Sequence, residues 1–359
     1  MRKILFIAPE PFFEIRGTPI AIKDILNILS DKYEIDFISY PFGTDLEIKN
    51  VNHTRCFGFG FNSIKIGPSF KKIILDFGLS LSVLRKIIIN KYFAVHTVEE
   101  AGLFGVFIKK VIGRKFVYDM DSIMSEQINR SKFSKLTFVM NFIEGSMIKN
   151  SDMVLAISPN FKSYCEEINK NCNFVEIFDI PQIEKSELPN NLRKSFYLNK
   201  KKVLYIGNGE KYQGVHLIEE TAKIMPELQF FIVGTGREEI VNNITYISKV
   251  DMNYVWGIMQ LSDILISPRL EGTNTPMKVY TYMSSGKPIV ATDIPAHNIL
   301  RNCSFIVKKD KDSIINGLKL ALTNEGKVKA KKAREIVQKE FSFIKLKEIV
   351  LRGYKELER

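Results

Sequence analysis

Residues 267–293, SPRLEGTNTPMKVYTYMSSGKPIVATD, decide how the chain is read. They run as the end of an apolar strand, a polar turn, a helix opened by Pro276, a stop at Gly286 and a second apolar strand. The first strand delivers Arg269 and Glu271 to its carboxyl edge. Gly272, Thr273, Asn274 and Thr275 then turn the chain so that backbone amides face outward where the helix begins. Such amides, at the positive end of a helix dipole, form an anion site. Pro276 is expected in the first turn, where its missing N–H costs nothing. Arg269 and Lys278 add two cations suited to a diphosphate, and Glu271 adds an acceptor for sugar hydroxyls.

Outward from this joint, short apolar runs alternate with helix-length amphipathic stretches. KILFIA, YEIDFISY, YFAVHTV, KFVYDM and DMVLAIS read as strands, with helices near 20–29 and 138–149. The rhythm pauses in DIPQIEKSELPNNLRKSFYLNKKK, whose prolines, asparagines and charges suit a linker. It restarts with KVLYIGNG and LQFFIVGTG. Alternation of this kind implies parallel sheets covered by helices. The expected fold class is α/β, with two doubly wound Rossmann-like domains facing across a cleft, ligands lying beyond the carboxyl ends of the strands. The expected divisions are 1–185, 186–342 and a final helix, 343–359, packing back on the first domain.

A chain of 359 residues exceeds one ordinary core, and 45% apolar with 26% charged residues excludes a disordered protein. Cys56, Cys165, Cys172 and Cys303 lack metal-ligand spacing and suit reduced thiols, hence a cytoplasmic placement. The opening MRKILFIAPEPFF is interrupted by Pro9 and Glu10 and is expected to be a strand, not a signal peptide. No apolar run reaches the ~18 residues of a spanning helix. The net charge of +12 favours anionic partners. Nucleic acid is set aside for want of a recognition helix, zinc spacing or aromatic RNA-binding motif. Nucleotide-sugar phosphates and an anionic membrane surface remain. For the latter, KIGPSFKKIILDFGLSLSVLRKIIINK sets Lys71, Lys72, Arg85 and Lys86 around an apolar helical segment. A core helix of the first domain is the plainer reading of that segment.

Further candidates lie at other strand ends. Gly17, in FFEIRGTPIAIKDIL, would let backbone approach a phosphate or sugar. His96, in AVHTVEEAG, is expected at a strand end, either facing the cleft to bind a hydroxyl or handle a proton, or as a structural histidine with its hydrogen bonds satisfied inside the fold. Glu99 and Glu100 read as favourable charges at a helix start. Asp119 and Asp121 form a D-x-D in KFVYDMDSIMSEQ, with Asp121 and Ser122 expected on the acceptor side. Gly234, in GTGREE, closes a strand.

The stretch EGTNTPMKVYTYMSSGKPIVATD resembles the donor-binding motif of family 4 glycosyltransferases, which have the GT-B fold, and FEIRGTPIA is similar to their glycine loop after the first strand. The resemblance implies a C-terminal domain holding a nucleoside-diphosphate sugar and an N-terminal domain holding a glycan or lipid-linked acceptor. It implies that Glu271 meets the transferred sugar, that the amides of Thr273, Asn274 and Thr275 meet the diphosphate, and that the Gly17 loop closes over the donor. Gly234 would then line the base or ribose. Transfer would retain anomeric configuration without a metal or cofactor. In another glycosyltransferase architecture a D-x-D holds a divalent ion; the two-halved pattern speaks against that here. His96 and Asp121 are left as groups that orient the reactants. Two positions depart from the family. Thr281 stands where a second Glu grips the ribose, so that its hydroxyl would take over that contact. Gln213 stands where a Lys precedes Gly214, which leaves Lys211 as the nearby cation. Two other functions use parts of the pattern: a nucleotide-sugar 2-epimerase and a non-catalytic nucleotide-sugar-binding partner.

Overall fold

The computed structural model of the chain describes residues 1–14, 16–64, 69–129, 134–183, 186–196 and 199–359. It divides into two units, Met1–Phe178 with Ile344–Arg359, and Asp179–Phe343. Unit 1 contains strands β1 (Arg2–Pro11), β2 (Tyr33–Tyr40), β3 (Val51–Arg55), β4 (Ala94–Val98), β5 (Lys115–Met120), β6 (Met153–Ala156) and β7 (Phe174–Glu176). They form one parallel sheet in the order β3-β2-β1-β4-β5-β6-β7. Its helices are α1 (Gly17–Ser30), α2 (Phe70–Ile89), α3 (Gly102–Ile112), α4 (Met124–Asn129), α5 (Thr137–Asn150) and α6 (Phe161–Ile168). Burial on both faces explains why the strands read as continuous apolar runs: Ile4, Leu5, Phe6, Ile7 and Ala8 are all fully buried.

Unit 2 repeats the plan. After the short α7 (Asn190–Ser195) come β8 (Lys201–Ile206), α8 (Val215–Ile224), β9 (Leu228–Val233), β10 (Glu239–Val241), β11 (Ile244–Ile247), α9 (Met252–Leu261), β12 (Ile264–Ser267), α10 (Met277–Ser284), β13 (Ile289–Thr292), β14 (Phe305–Val307), α11 (Lys311–Ala321) and α12 (Asn324–Glu340). The sheet order is β10-β11-β9-β8-β12-β13-β14, with only the edge strand β10 antiparallel. Each sheet reverses its winding once, between β1 and β4 and between β8 and β12. Loops at the carboxyl ends of those pairs diverge and leave a crevice. Both units therefore have the doubly wound, Rossmann-like form that the sequence rhythm implies.

The division falls at Phe178–Asp179, before the expected linker, because the chain beyond β7 is already held by unit 2. There the Gln182 backbone N–H donates to Thr281 Oγ1 at 3.1 Å. The expected boundary touches Glu184 and Lys185, which lie outside the described residues. Helix α13 (Phe343–Leu357) carries the chain back to unit 1, burying Leu346, Val350, Tyr354 and Leu357 along one stripe.

That return accounts for His96, which is not at a strand end facing a cleft. It lies in the middle of β4 and is fully buried. Its Nε2 donates to Asp119 Oδ2 at 2.9 Å, so Nδ1 accepts from the Tyr354 hydroxyl at 2.7 Å. Phe6 stacks on the ring at 4.1 Å. With both nitrogens occupied, His96 ties β4 to β5 and to α13 and offers nothing to a ligand. Tyr354→Phe keeps the ring but strands Nδ1. It should lower unfolding free energy by about 1–3 kcal/mol, seen as an earlier urea midpoint; an unchanged midpoint would mean that His96 needs no partner there.

Candidate active site

Two loops meet at the reversal point of unit 2. One follows β8 and ends in the turn Lys211–Gln213 and Gly214; the other follows β12 and leads to α10. They are pinned together where Leu270 N–H donates to the Tyr212 carbonyl at 2.8 Å. Gly214, at φ +70, lies so close to the second loop that an added Cβ would come 2.1 Å from the Pro268 carbonyl oxygen. Gly272 takes φ +132, and a Cβ there would run into the Arg269 guanidinium. Only glycine meets both demands, left-handed backbone and close approach.

Arg269 is almost fully buried. Its guanidinium donates to the Asn274 carbonyl and to Asn274 Oδ1, at 3.3 and 3.1 Å, and lies 5.3 Å over the Tyr212 ring. Lys278, half-buried in the first turn of α10, donates to Gln213 Oε1 at 3.3 Å and lies 4.3 Å over Tyr205. Burial, and then the neighbouring Arg269 charge, pull the Lys278 ammonium down to about 7. Pro276 stands just outside α10 as its cap, with extended backbone, rather than within the first turn, and Thr275 is buried beside it. Thr273 and Asn274 are half-buried, while Glu271 and Lys211 are exposed. Gly234 comes beside Gly207, whose N–H donates to the Val233 carbonyl at 2.9 Å. Next to it, the enclosed Thr235 hydroxyl has no hydrogen-bond partner among the described residues.

Thr281 departs from its expected role at a ribose. It is buried in α10 with its hydroxyl oxygen bonded to the Gln182 N–H, because α10 is covered nearly all round. The sequence reading also passed over His297. This buried side chain donates from Nδ1 to the Thr292 carbonyl at 2.8 Å, leaving Nε2 to accept from Ser267 Oγ at 3.0 Å. Thr292 in turn donates to the Arg269 carbonyl, and Ala296 N–H to the Gly272 carbonyl at 3.1 Å. Burial holds His297 down at about 4, with Lys278 and Arg269 pushing the same way. A neutral imidazole thus braces the cationic loop. Its only sequence signal, one His two residues after Pro295, is too common to single out.

In unit 1 the corresponding edge gathers carboxyls. Asp121 follows β5 and accepts a hydrogen bond from Thr18, next to Gly17. Burial and the Asp119 charge raise it to about 7. Glu99, held at φ +49, accepts from Ser122 Oγ at 3.0 and 3.1 Å. Burial and Asp121 push Glu99 well above the usual carboxylate range. Lys72 bridges Glu100 at 2.9 Å and Glu10 at 3.8 Å, while Arg16 pairs with Glu10 at 3.0 Å. Gly17 opens α1 with free space where a side chain would stand. Asp119 is committed to His96, so it does not act with Asp121 as an open pair. Among the described residues no three His, Cys, Asp or Glu side chains are arranged to hold a metal ion.

Residues 200–324 match the family described as glycosyl transferases group 1. An uncharacterized glycosyltransferase of Methanocaldococcus jannaschii, MJ1069, is 26% identical over 242 residues; the match spans 59% of this chain and 60% of that protein. Sucrose-phosphate synthase of Thermosynechococcus elongatus has the same fold with a TM-score of 0.83 at 15% identity, over 100% of this chain and 99% of that one. HepE of Anabaena, solved in complex with UDP-glucose, has a TM-score of 0.74 at 16% identity, over 99% and 100%. WaaG, a glycosyltransferase involved in lipopolysaccharide biosynthesis, has a TM-score of 0.69 at 13% identity, over 98% and 99%. The fold is GT-B.

An anion placed between the two cations should restore the Lys278 charge. In protein carrying carbon-13-labelled lysine, the Lys278 resonance should titrate near pH 7 and move upward with inorganic pyrophosphate. Arg269→Met should raise the free value as well. A Lys278 that titrates with the surface lysines would refute the crowding of charge.

Proposed function

We propose that this GT-B chain, whose C-terminal unit matches the group 1 glycosyltransferases, moves a sugar from a nucleoside-diphosphate sugar to a hydroxyl of a glycan or lipid-linked acceptor. The observation that carries the reading is the Arg269–Lys278 pair at the start of α10, with the family match over the same unit. In the reaction the bond from the anomeric carbon to the diphosphate oxygen breaks, and a bond to the acceptor oxygen forms. Negative charge grows on the leaving diphosphate. Arg269, Lys278 and the amides of Thr273, Asn274 and Thr275 stabilise it, with Lys211 nearby, in the manner of a preorganised anion site. Glu271, exposed beside them, accepts hydrogen bonds from the transferred sugar. The binding of UDP-glucose by HepE supports a nucleotide-sugar donor.

On the acceptor side we assign Asp121, not His96, as the group that orients the hydroxyl and receives its proton. We further propose a metal-independent transfer with retention, of family 4 type, in the cytoplasm and in polysaccharide or glycoconjugate synthesis. Four free cysteines support the reducing compartment. Non-catalytic binding is a second reading, favoured by Gln213, which takes Lys278 as its partner where the family has a Lys.

The test is release of free sugar, or transfer, from a panel of UDP-, GDP- and ADP-sugars, with a chelator present. One nucleotide class should be turned over and should stabilise the fold by roughly 2.7 kcal/mol at 100 times its Kd. Arg269→Ala and Lys278→Ala should each lower kcat about 10²–10³-fold. Binding without turnover would favour the second reading; no binding by folded protein would overturn both.

The pH profile follows from two groups. Asp121 must lose its proton, which occurs above about 7, and Lys278 must keep its proton, which occurs below about 7 in the free protein. The kcat/KM profile should therefore be a narrow bell centred near pH 7. Asp121→Asn should flatten the acid limb and Lys278→Arg the alkaline limb, and limbs that ignore both variants would contradict these roles.

A further inference from the structure

Helix α2 has two apolar stripes. Leu75, Leu79 and Val83 are buried against the sheet. On the outer side Phe70, Ile73, Phe77, Leu81, Leu84 and Ile88 repeat at three- and four-residue spacing and are 42–81% exposed. The β3→β4, β4→β5 and β5→β6 crossovers step the same way along the sheet. Right-handed connections therefore set α2, α3 and α5 on one face. Helix α3 continues the exposed surface with Leu103, Phe107 and Val111, four residues apart, and α5 with Phe138 and Phe142, 81% and 76% exposed. Helices α3 and α5 touch where Gly102 meets Met147. Phe59, itself exposed, adds a ring 6.3 Å from Phe77. An uncovered apolar surface spread over three helices marks an interaction site.

Its charges say what kind. The only acids in the three helices are Asp76 and Glu144, and both point inward. Asp76 accepts from the Tyr40 hydroxyl at 2.6 Å, and Glu144 from the Met124 N–H and the Tyr164 hydroxyl, each at 2.8 Å. The exposed charges are Lys71, Arg85, Lys110 and Lys149, all cations. A second copy of the chain would set cations against cations. An anionic bilayer surface takes apolar side chains below its headgroups and cations at them. Among the described residues no helix is long and apolar enough to cross a membrane. We infer that the outer face of α2, α3 and α5 is a docking face for an anionic lipid bilayer, on which unit 1 lies without spanning it.

The full chain should co-sediment with phosphatidylcholine vesicles containing phosphatidylglycerol roughly tenfold or more better than with phosphatidylcholine alone, and added salt should reduce the difference. The double variant Phe77→Glu with Leu81→Glu should lose that binding and keep the parent's melting temperature and nucleotide-sugar binding. Arg85→Glu with Lys110→Glu keeps the apolar stripe and serves if the first variant fails to fold; it should lose the preference for anionic vesicles. Absence of vesicle binding, binding untouched by either variant, or a dimer in solution that the first variant dissolves would each overturn the inference.

Discussion

The site in unit 2 depends on burying two cations side by side. Burial first, and then the neighbouring Arg269 charge, take the Lys278 ammonium from 10.5 to about 7. At about 1.4 kcal/mol per unit, that is several kcal/mol against the charged form. The Tyr205 and Tyr212 rings return roughly 0.5–2 kcal/mol each, which is too little to offset it. The arrangement persists because the surroundings overdetermine it: the Leu270–Tyr212 hydrogen bond, the Gly214 approach to Pro268, and the His297–Thr292–Arg269 brace. An anion bound between the two cations would relieve that cost.

The two units use one topology with opposite electrostatics. Where winding reverses in unit 2, the site holds the cations Arg269 and Lys278; where it reverses in unit 1, the edge holds Glu10, Glu99, Glu100 and Asp121, with Lys72 and Arg16 pairing with some of them. Parallel sheets fix the place, since every strand's carboxyl end lies on the same edge and only the reversal leaves it open. In the proposed reaction the loop residues then divide the chemistry: cations for phosphate, carboxyls with raised proton affinity for hydroxyls. Asp119 connects the layers of unit 1, bonding inward to His96 and raising Asp121 outward.

The strand–turn–helix of residues 267–293 was legible because its demands are local. Gly272 at positive φ, the polar turn and the capping Pro276 are all set within a few residues. His96 was misplaced because its environment is not local: β4 runs two residues beyond it, and its partner Tyr354 arrives on a helix 258 residues later. Thr281 was misread for a related reason. Its role came from its place in the family resemblance, which says nothing of burial, and α10 is enclosed by β8, where Ile206 N–H donates to the Tyr282 hydroxyl, and by α12, with Tyr280 edge-on to Phe341 at 5.1 Å. His297 shows the opposite failure, a residue whose importance comes only from the two loops it joins.

Helix α2 marks where periodicity stops being informative. Its sequence is apolar on both sides, the usual signature of a helix buried all round, and that is why a core helix was the plainer reading. A doubly wound sheet can cover only one side of each helix, so the second stripe must either meet another layer or face solvent. Among the described residues no further layer covers the outer side of α2: Phe70 and Ile88 are 75% and 81% exposed. A fully exposed side chain of this kind forgoes about 1.5–3 kcal/mol of burial, and six partly exposed ones in register forgo an amount comparable to a typical domain's net stability. Aspartate and glutamate would be the simplest remedy for solubility, and they are absent from this surface while its cations are kept. That pairing of exposed apolar side chains with one sign of charge is a property of the folded unit, assembled from three helices that strands separate in the chain.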